Sequence, residues 1–117
     1  MKLLIAIINN PEKVVDILDE FYKVEINGAT VMDSTGMAHI MANYVPFFSR
    51  FAEVGDEPTA NKSIFVVIHS EDQLLKAIQS IEKIIGDLNE PDTGVVMTVP
   101  IDFQKGLFKK EGNEFRL

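Results

Sequence analysis

An apolar, strand-like run followed by an amphipathic, helix-like run occurs twice along this chain. The first run, residues 3–8, leads into a helical pattern over residues 12–22, and the second, residues 64–68, leads into one over residues 73–85. Within each helical pattern, apolar residues spaced i, i+3, i+4 and i+7 indicate one buried face. With 117 residues available, the repeat predicts one α+β domain, a βαβ-βαβ sandwich.

Local signals mark the ends of both predicted helices. Asn10 is a favoured N-cap for the first helix, and Ser70 followed by Gln73 three residues later forms a capping-box pattern. The first helix is predicted to end before the Asn-Gly pair at residues 27–28, where Gly28 can take a left-handed conformation. Gly86 is the expected stop of the second helix.

The strands indicate that the sheet is apolar on both faces. Residues 29–34 and 95–99 supply the second and fourth strands, while the first and third show none of the alternation expected when one sheet face meets water. Two helices can cover only one face of the sheet. Because the other face would leave a large apolar patch in water, the pattern predicts self-association, with a ring of subunits as the preferred geometry.

A long insert separates the second and third predicted strands. It spans residues 36–62 and is longer than ordinary connections, which indicates a functional or disordered segment. After Pro46, a helical turn would place three aromatic residues on one face: Phe47, Phe48 and Phe51. These aromatics fit either an arm that docks on a partner or closes over a ligand, or simple packing of the insert on its own assembly.

Charge and cysteine content exclude several classes of function. The formal net charge of −7 and the pI near 4.7 disfavour nucleic acid and anionic membrane surfaces as partners. The chain has no cysteine, which excludes disulfides, thiolate catalysis and cysteine metal sites. The apolar opening is too short to span a bilayer and lacks a signal-cleavage pattern, so we expect a cytoplasmic protein without membrane insertion.

Few residues suggest catalysis or metal binding. The two histidines, His39 and His69, lack the additional spaced ligands that zinc requires, so no metal site is predicted. No nucleophile, phosphate-loop or metalloprotease motif occurs, so a non-enzymatic function is favoured. The alternative is a small enzyme that uses His39 as acid or base, with Asp33 or Asp92 as its orienting partner.

Several strings, in order and at matching spacing, resemble the P-II nitrogen-regulatory family. They are MKLLIAI at residues 1–7 with PEK at 11–13, NGATV at 27–31 and GVVMTVP at 94–100. The resemblance extends from residue 1 to about residue 107. It implies a single P-II-like domain over residues 1–117, with a ferredoxin-like fold, a homotrimeric assembly, a T-loop-like insert at residues 36–62 and a polar tail at residues 108–117.

Members of that family bind adenine nucleotides in clefts between subunits and use the T-loop to grip transporters and enzymes. The resemblance therefore implies a signal-transduction protein that binds a small metabolite or nucleotide and acts on a protein target such as a transporter or metabolic enzyme. The ligand-binding residues carried over are Thr35, Gly36, Met37, Ala38 and His39, with Gly94 and Val95 across the cleft. The partner-binding residues carried over are Tyr44, Phe47, Phe48, Arg50 and Phe51.

The chain departs from the family pattern where phosphate is bound. Val95 stands in the place of a phosphate-binding lysine, Ala38 and His39 replace a glycine-arginine pair, and Gly106 and Phe108 replace paired arginines. These losses remove charge-assisted bonds to a triphosphate, so an adenine nucleotide is a weakened candidate and no cofactor is assigned. A second alternative is a divalent-cation-binding trimer of the CutA type, which shares the fold but lacks the insert.

Overall fold

The computed structural model describes residues 1–42 and 61–108. The elements in chain order are strand β1 (Lys2–Ile8), a 3-10 turn (Pro11–Lys13), helix α1 (Val14–Lys23), strand β2 (Thr30–Ser34), helix α2 (Met37–Met41), strand β3 (Asn61–Ile68), helix α3 (Glu71–Ile85) and strand β4 (Gly94–Pro100). The predicted strand-helix unit is therefore present twice, as β1-α1 and β3-α3.

The four strands form one antiparallel sheet in the order β2-β3-β1-β4. Strand β1 lies at the centre, where Lys2 faces Ile68 of β3 on one side and Pro100 of β4 on the other. Strand β2 occupies the edge beyond β3. The α+β prediction is confirmed, and this strand order with two long helices is compatible with a ferredoxin-like fold.

One face of the sheet is covered by α1 and α3 and carries the core. The buried strand residues alternate along the two central strands: Leu4, Ala6 and Ile8 on β1, and Ile64, Val66 and Ile68 on β3. Helix α1 adds Val14, Ile17 and Phe21, and α3 adds Ala77 and Ile81. The predicted apolar stripe of α1 is confirmed, and its fourth member, Leu18, packs partly buried against this core.

Both predicted capping side chains accept a backbone hydrogen bond, Asn10 at the 3-10 turn that leads into α1 and Ser70 at the start of α3. The Asn10 side chain accepts a hydrogen bond from the Glu12 N–H at 3.1 Å, and Ser70 Oγ accepts one from the Gln73 N–H at 3.1 Å. In a capping box, the Gln73 side chain would accept a hydrogen bond from the backbone N–H of Ser70. Here it accepts one from the backbone N–H of His69 instead, at 2.7 Å. Helix α3 ends at Gly86, with φ at 92°, so the predicted stop is confirmed.

Helix α1 ends before the Asn-Gly pair at residues 27–28, as predicted, but Gly28 does not take the left-handed conformation. The helix ends at Lys23, and the left-handed residue is Glu25, with φ at 68°. The Ile26 N–H donates to the Phe21 carbonyl at 2.8 Å. In a Schellman-type helix ending, this is the hydrogen bond that reaches back five residues. Because Ile26 itself is buried in the core, this apolar contact ends the helix before the chain reaches Gly28.

The opposite face of the sheet, here called the open face, is apolar and has no helix of the described residues over it. Its central strands contribute Leu3, Ile5, Ile7, Phe65 and Val67, which are partly exposed. On β4, Val95, Met97 and Val99 are 50%, 42% and 42% exposed. The prediction that the strands are apolar on both faces is confirmed, and the partner that would cover the open face stays a prediction.

The borders of the insert differ from the predicted range of residues 36–62. Helix α2 follows directly after Gly36, and β3 already begins at Asn61, because Asn61 and Lys62 pair with Ser34 and Asp33 of β2. The predicted partner-binding residues lie outside the described part of the chain: Tyr44, Phe47, Phe48, Arg50 and Phe51. Among the described residues, no helix is long and apolar enough to cross a membrane.

Candidate functional site

A cavity of about 710 Å³ lies at the end of the sheet where the insert begins and returns. We call it the loop-base cavity. Its walls come from four places in the chain: residues 9–12 after β1, residues 36–39 after β2, Asn61 at the start of β3, and Asp92 before β4. Connections that are distant in sequence therefore meet here because β1 and β2 end, and β3 and β4 begin, at the same end of the sheet.

Two backbone contacts hold parts of this cavity in place. The Asn9 N–H donates to the Thr93 carbonyl at 3.2 Å, which fixes the turn containing Asp92 beside the end of β1. The Ile40 N–H donates to the Gly36 carbonyl at 3.1 Å, which starts the single turn of α2 at the mouth of the insert. Both contacts join residues next to the cavity rather than residues of the core.

Four of the seven ligand-binding residues predicted from the family resemblance line this cavity. They are Gly36, Met37, Ala38 and His39. Thr35 is exposed and lies outside the lining. The structure thus places one continuous part of the predicted site on a cavity wall, while binding by these residues stays a prediction.

His39 is the histidine that the sequence favoured for chemistry. Its Nδ1 atom is buried and has no hydrogen-bond partner within the described residues. Buried polar atoms in proteins are normally hydrogen-bonded, so such an atom calls for an explanation. His39 lines the loop-base cavity, so its side chain borders the space that a ligand would occupy.

Gly94 and Val95, predicted across the cleft, do not line the loop-base cavity. Gly94 has φ at 157°, and a Cβ built on it would lie 2.4 Å from the Ile7 carbonyl oxygen. Glycine is therefore required here for β4 to approach β1. Val95 faces Ile7 in the register and lies on the open face, so a role for either residue at a subunit boundary stays a prediction.

Asn61 was not predicted as a site residue, yet it joins the cavity to the sheet. Its side-chain oxygen accepts a hydrogen bond from the Ser34 hydroxyl. The Ser34 oxygen in turn lies 2.9 Å from the Ser63 hydroxyl oxygen, and Ser63 is only 7% exposed. A short chain of polar side chains therefore runs from β3 through β2 to the cavity wall. Sequence reasoning missed it because the chain depends on the pairing of β2 with β3.

The charged residues of the cavity lining are acidic. Glu12 and Asp92 contribute carboxylates, and no lysine or arginine occurs among the described lining residues. Asp92 has φ at 62°, a conformation that aspartate adopts more readily than most non-glycine residues. The nearby cation Lys62 already forms an ion pair with Asp33 along the β2-β3 edge. The cavity therefore presents negative charge and neutral amides to a ligand.

A second cavity, of about 540 Å³, lies at the other end of the sheet. Its lining includes Phe65 and Val67 of the open face together with Leu107. Next to it, the rings of His69 and Phe108 lie 5.6 Å apart between centroids. Residues 101–108 form no strand, and Leu107 lines this cavity beside the two open-face residues.

In the described part of the chain, no group of three or more histidine, aspartate or glutamate side chains is arranged to hold a metal ion. No protein-family model and no curated protein matches the sequence of this chain.

Proposed function

We propose that this protein is a P-II-like signalling protein. In this proposal it assembles as a homotrimer, takes a small metabolite at the base of the insert, beside the boundary between subunits, and signals to a protein target through the insert of residues 36–62. It performs no catalysis, and its target is a protein such as a transporter or a metabolic enzyme.

The observation that carries the proposal is the convergence of both ends of the insert on one cavity. Gly36 opens the insert and Asn61 lies at its other end, where β3 begins, and both line the loop-base cavity. A ligand bound there touches the two points at which the insert joins the fold. If the ligand binds one conformation of the insert more tightly than another, it shifts the population toward that conformation. Such a population shift is sufficient for a conformational switch.

The open face supports the proposed assembly. Phe65 of β3, Ile5 of β1 and Met97 of β4 lie side by side across this face. Met97 is 42% exposed, and the other two are partly exposed. An apolar area of this kind commonly marks an interaction surface. Because the strand residues of each copy carry the same pattern, a closed ring of identical subunits would cover the open face of every copy.

A small enzyme on the same fold is the second candidate, and one observation favours it. His39 and Asp92, which the sequence suggested as an acid-base pair, line the same cavity. The other suggested partner, Asp33, is instead paired with Lys62. Turnover of a metabolite that is lost in His39→Gln and retained in Asp33→Asn would support this function and count against a purely signalling role.

Sedimentation equilibrium of the full chain tests the proposed assembly. We expect a mass of three times the 13.1 kDa subunit. Val95→Asp, which places a charge on the open face, should yield single subunits. Val15→Asp is the matched control, since Val15 is an exposed valine of α1 on the helix side of the molecule, and it should stay trimeric. A folded single subunit in the unmodified protein at all concentrations would overturn the assembly.

A thermal-shift screen combined with limited proteolysis tests the signalling step. A ligand present at 100 times its dissociation constant adds about 2.7 kcal/mol to the free energy of unfolding. We expect such a ligand also to alter the rate of proteolytic cleavage within residues 43–60, while cleavage elsewhere follows overall stability. Ligands that stabilise the fold without changing cleavage in the insert would contradict signalling through it.

A further inference from the structure

We propose that the loop-base cavity selects a small ligand that carries both a cationic amine and a hydrogen-bond acceptor, and that Asn61 is the residue that recognises the acceptor. This inference rests on the proposed function, because it names the class of metabolite that the same cavity takes. It goes further in assigning the specificity to a residue outside the predicted site.

The orientation of the Asn61 amide carries the first half of the inference. Because Oδ1 accepts the Ser34 hydroxyl, the amide turns its nitrogen away from Ser34. A Cβ built on Gly36, a cavity residue, would lie 3.7 Å from that nitrogen. An amide nitrogen only donates hydrogen bonds. The group that Asn61 offers on the Gly36 side of the cavity is therefore a donor, and its complement on a ligand is a carbonyl or carboxylate oxygen.

The polar chain behind Asn61 accommodates this orientation. Ser63 is almost fully buried, and its hydroxyl can donate to the Ser34 oxygen, 2.9 Å away. The Ser34 hydroxyl then donates its proton to the Asn61 side-chain oxygen. Every hydroxyl of the chain is satisfied in this order, as buried polar groups normally are, and the Asn61 nitrogen lies on the cavity side.

The charge of the cavity carries the second half. Glu12 and Asp92 approach from separate connections, and no basic side chain of the described residues lines the space between them. Two carboxylates that share a cavity repel an anion and favour a cation. The net charge of −7 adds a long-range field of the same sign. A phosphate or a dicarboxylate is disfavoured, whereas an ammonium group is attracted.

A four-carbon series with graded charge tests the proposal by calorimetry on the full chain. The probes are succinate, 4-aminobutyrate, 4-aminobutanamide and 1-aminobutane. We expect 4-aminobutanamide to bind most tightly, because it has an ammonium group and an amide carbonyl but no negative charge. 1-Aminobutane has the same single positive charge but lacks the acceptor, so it should bind more weakly by roughly three- to tenfold, the worth of one hydrogen bond. Succinate should show no binding.

Asn61→Asp replaces the donor with an acceptor of the same shape, and it should abolish the preference for 4-aminobutanamide over 1-aminobutane. Asn27→Asp, at the other end of the sheet, adds the same charge and should keep the preference. Ser34→Ala leaves Asn61 in place but frees its amide to turn, so the preference should fall by roughly threefold. This variant also provides the test if Asn61→Asp does not fold.

Three results would overturn the proposal: tightest binding of succinate, no binding of any of the four compounds, or an unchanged preference in both Asn61→Asp and Ser34→Ala. Its failure can be told apart from failure of the proposed function. If an anionic metabolite binds and alters cleavage of the insert, the signalling function stands and this inference falls. If 4-aminobutanamide binds through Asn61 but leaves cleavage of the insert unchanged, the ligand class stands and the signalling function falls.

Discussion

The two faces of the sheet have similar apolar side chains but different surroundings. Neighbouring residues of β3 show the contrast: Ile64 points toward the helices and is fully buried, whereas Phe65 lies on the open face and is partly exposed. On one face, α1 and α3 supply the contacts that apolar residues require. On the other, the described residues place no helix over the sheet, and Leu107 lines a cavity at one corner. Apolar character thus identifies a surface that needs covering, and topology decides whether the chain itself covers it.

Paired substitutions at these two positions give the largest expected effect. Ile64→Ala should lower the free energy of unfolding by about 2–5 kcal/mol, since it leaves a cavity in the core. Phe65→Ala should cost much less in dilute protein, because its side chain is still in contact with solvent. Urea unfolding at several protein concentrations checks both.

Varying the protein concentration distinguishes the stability of a single subunit from the contribution of contacts between subunits. If the open face is covered by other subunits, the cost of Phe65→Ala should grow as the protein concentration rises, while that of Ile64→Ala relative to the wild type should change little. Equal costs for both substitutions at high dilution would show that the two faces do not differ in a single subunit.

Strand β4 provides the next test, because it contributes three exposed residues to the open face and needs its backbone contacts with β1. Gly94→Ala should destabilise the protein by about 1–3 kcal/mol, since an alanine Cβ would meet the Ile7 carbonyl oxygen and the backbone conformation is strained for a side chain. Gly28→Ala is the matched control. It has open space around it and should be neutral or stabilising by about 0.4–1 kcal/mol. Thermal unfolding of both variants makes the comparison, and equal destabilisation would contradict it.

The covered face could be predicted from the sequence because it depends on local periodicity. The i, i+3, i+4, i+7 spacing of Val14, Ile17, Leu18 and Phe21 identifies the inner side of α1 without any knowledge of strand order. The side of the sheet on which Val95 lies depends instead on the register that places it opposite Ile7. No local pattern contains that register, so the assignment of Val95 to a binding cleft had only the family resemblance behind it.

The candidate site was predictable only along one stretch of the chain. Residues 36–39 were predicted from the family resemblance, which matched them to the entry of the insert, and they do line the loop-base cavity. Asn9 and Asn61 were missed because they reach the cavity through the antiparallel pairing of β1, β2 and β3. Single asparagines beside strands are common, and only their convergence in space distinguishes these two.

A smaller effect is expected at the beginning of α3, on the covered side. Ser70→Ala should cost about 1 kcal/mol, because the Gln73 N–H would lose its hydrogen bond to the Ser70 hydroxyl. Ser70→Asp retains an acceptor and should restore most of the loss. Neither variant touches the open face, so sedimentation should give the same assembly for both. A change of assembly in Ser70→Ala would mean that the two faces are energetically coupled through the sheet.

The smallest effect concerns the outer surface of the covered side, where Glu20 joins the two long helices. Its carboxylate lies 3.0 Å from Lys23 of its own helix and 3.2 Å from Lys83 of α3. The hydrogen bonds from Lys23, and then Lys83, hold the pKa of Glu20 below its ordinary value. A carboxylate with a lowered pKa in the folded state stabilises the protein above its unfolded pKa, and this stabilisation is lost as pH falls through the folded value.

Glu20→Gln should therefore lower the free energy of unfolding by a constant amount at neutral pH, and its deficit should shrink to nothing in acid. A double-mutant cycle with Lys83→Gln isolates the contact between α1 and α3 from the one within α1. We expect the coupling between Glu20 and Lys83 at neutral pH to disappear below the folded pKa of Glu20. A coupling that persists unchanged in acid would show that the two side chains interact by packing rather than by charge. The helices would then be joined on their outer side by the same kind of contact that joins them to the sheet.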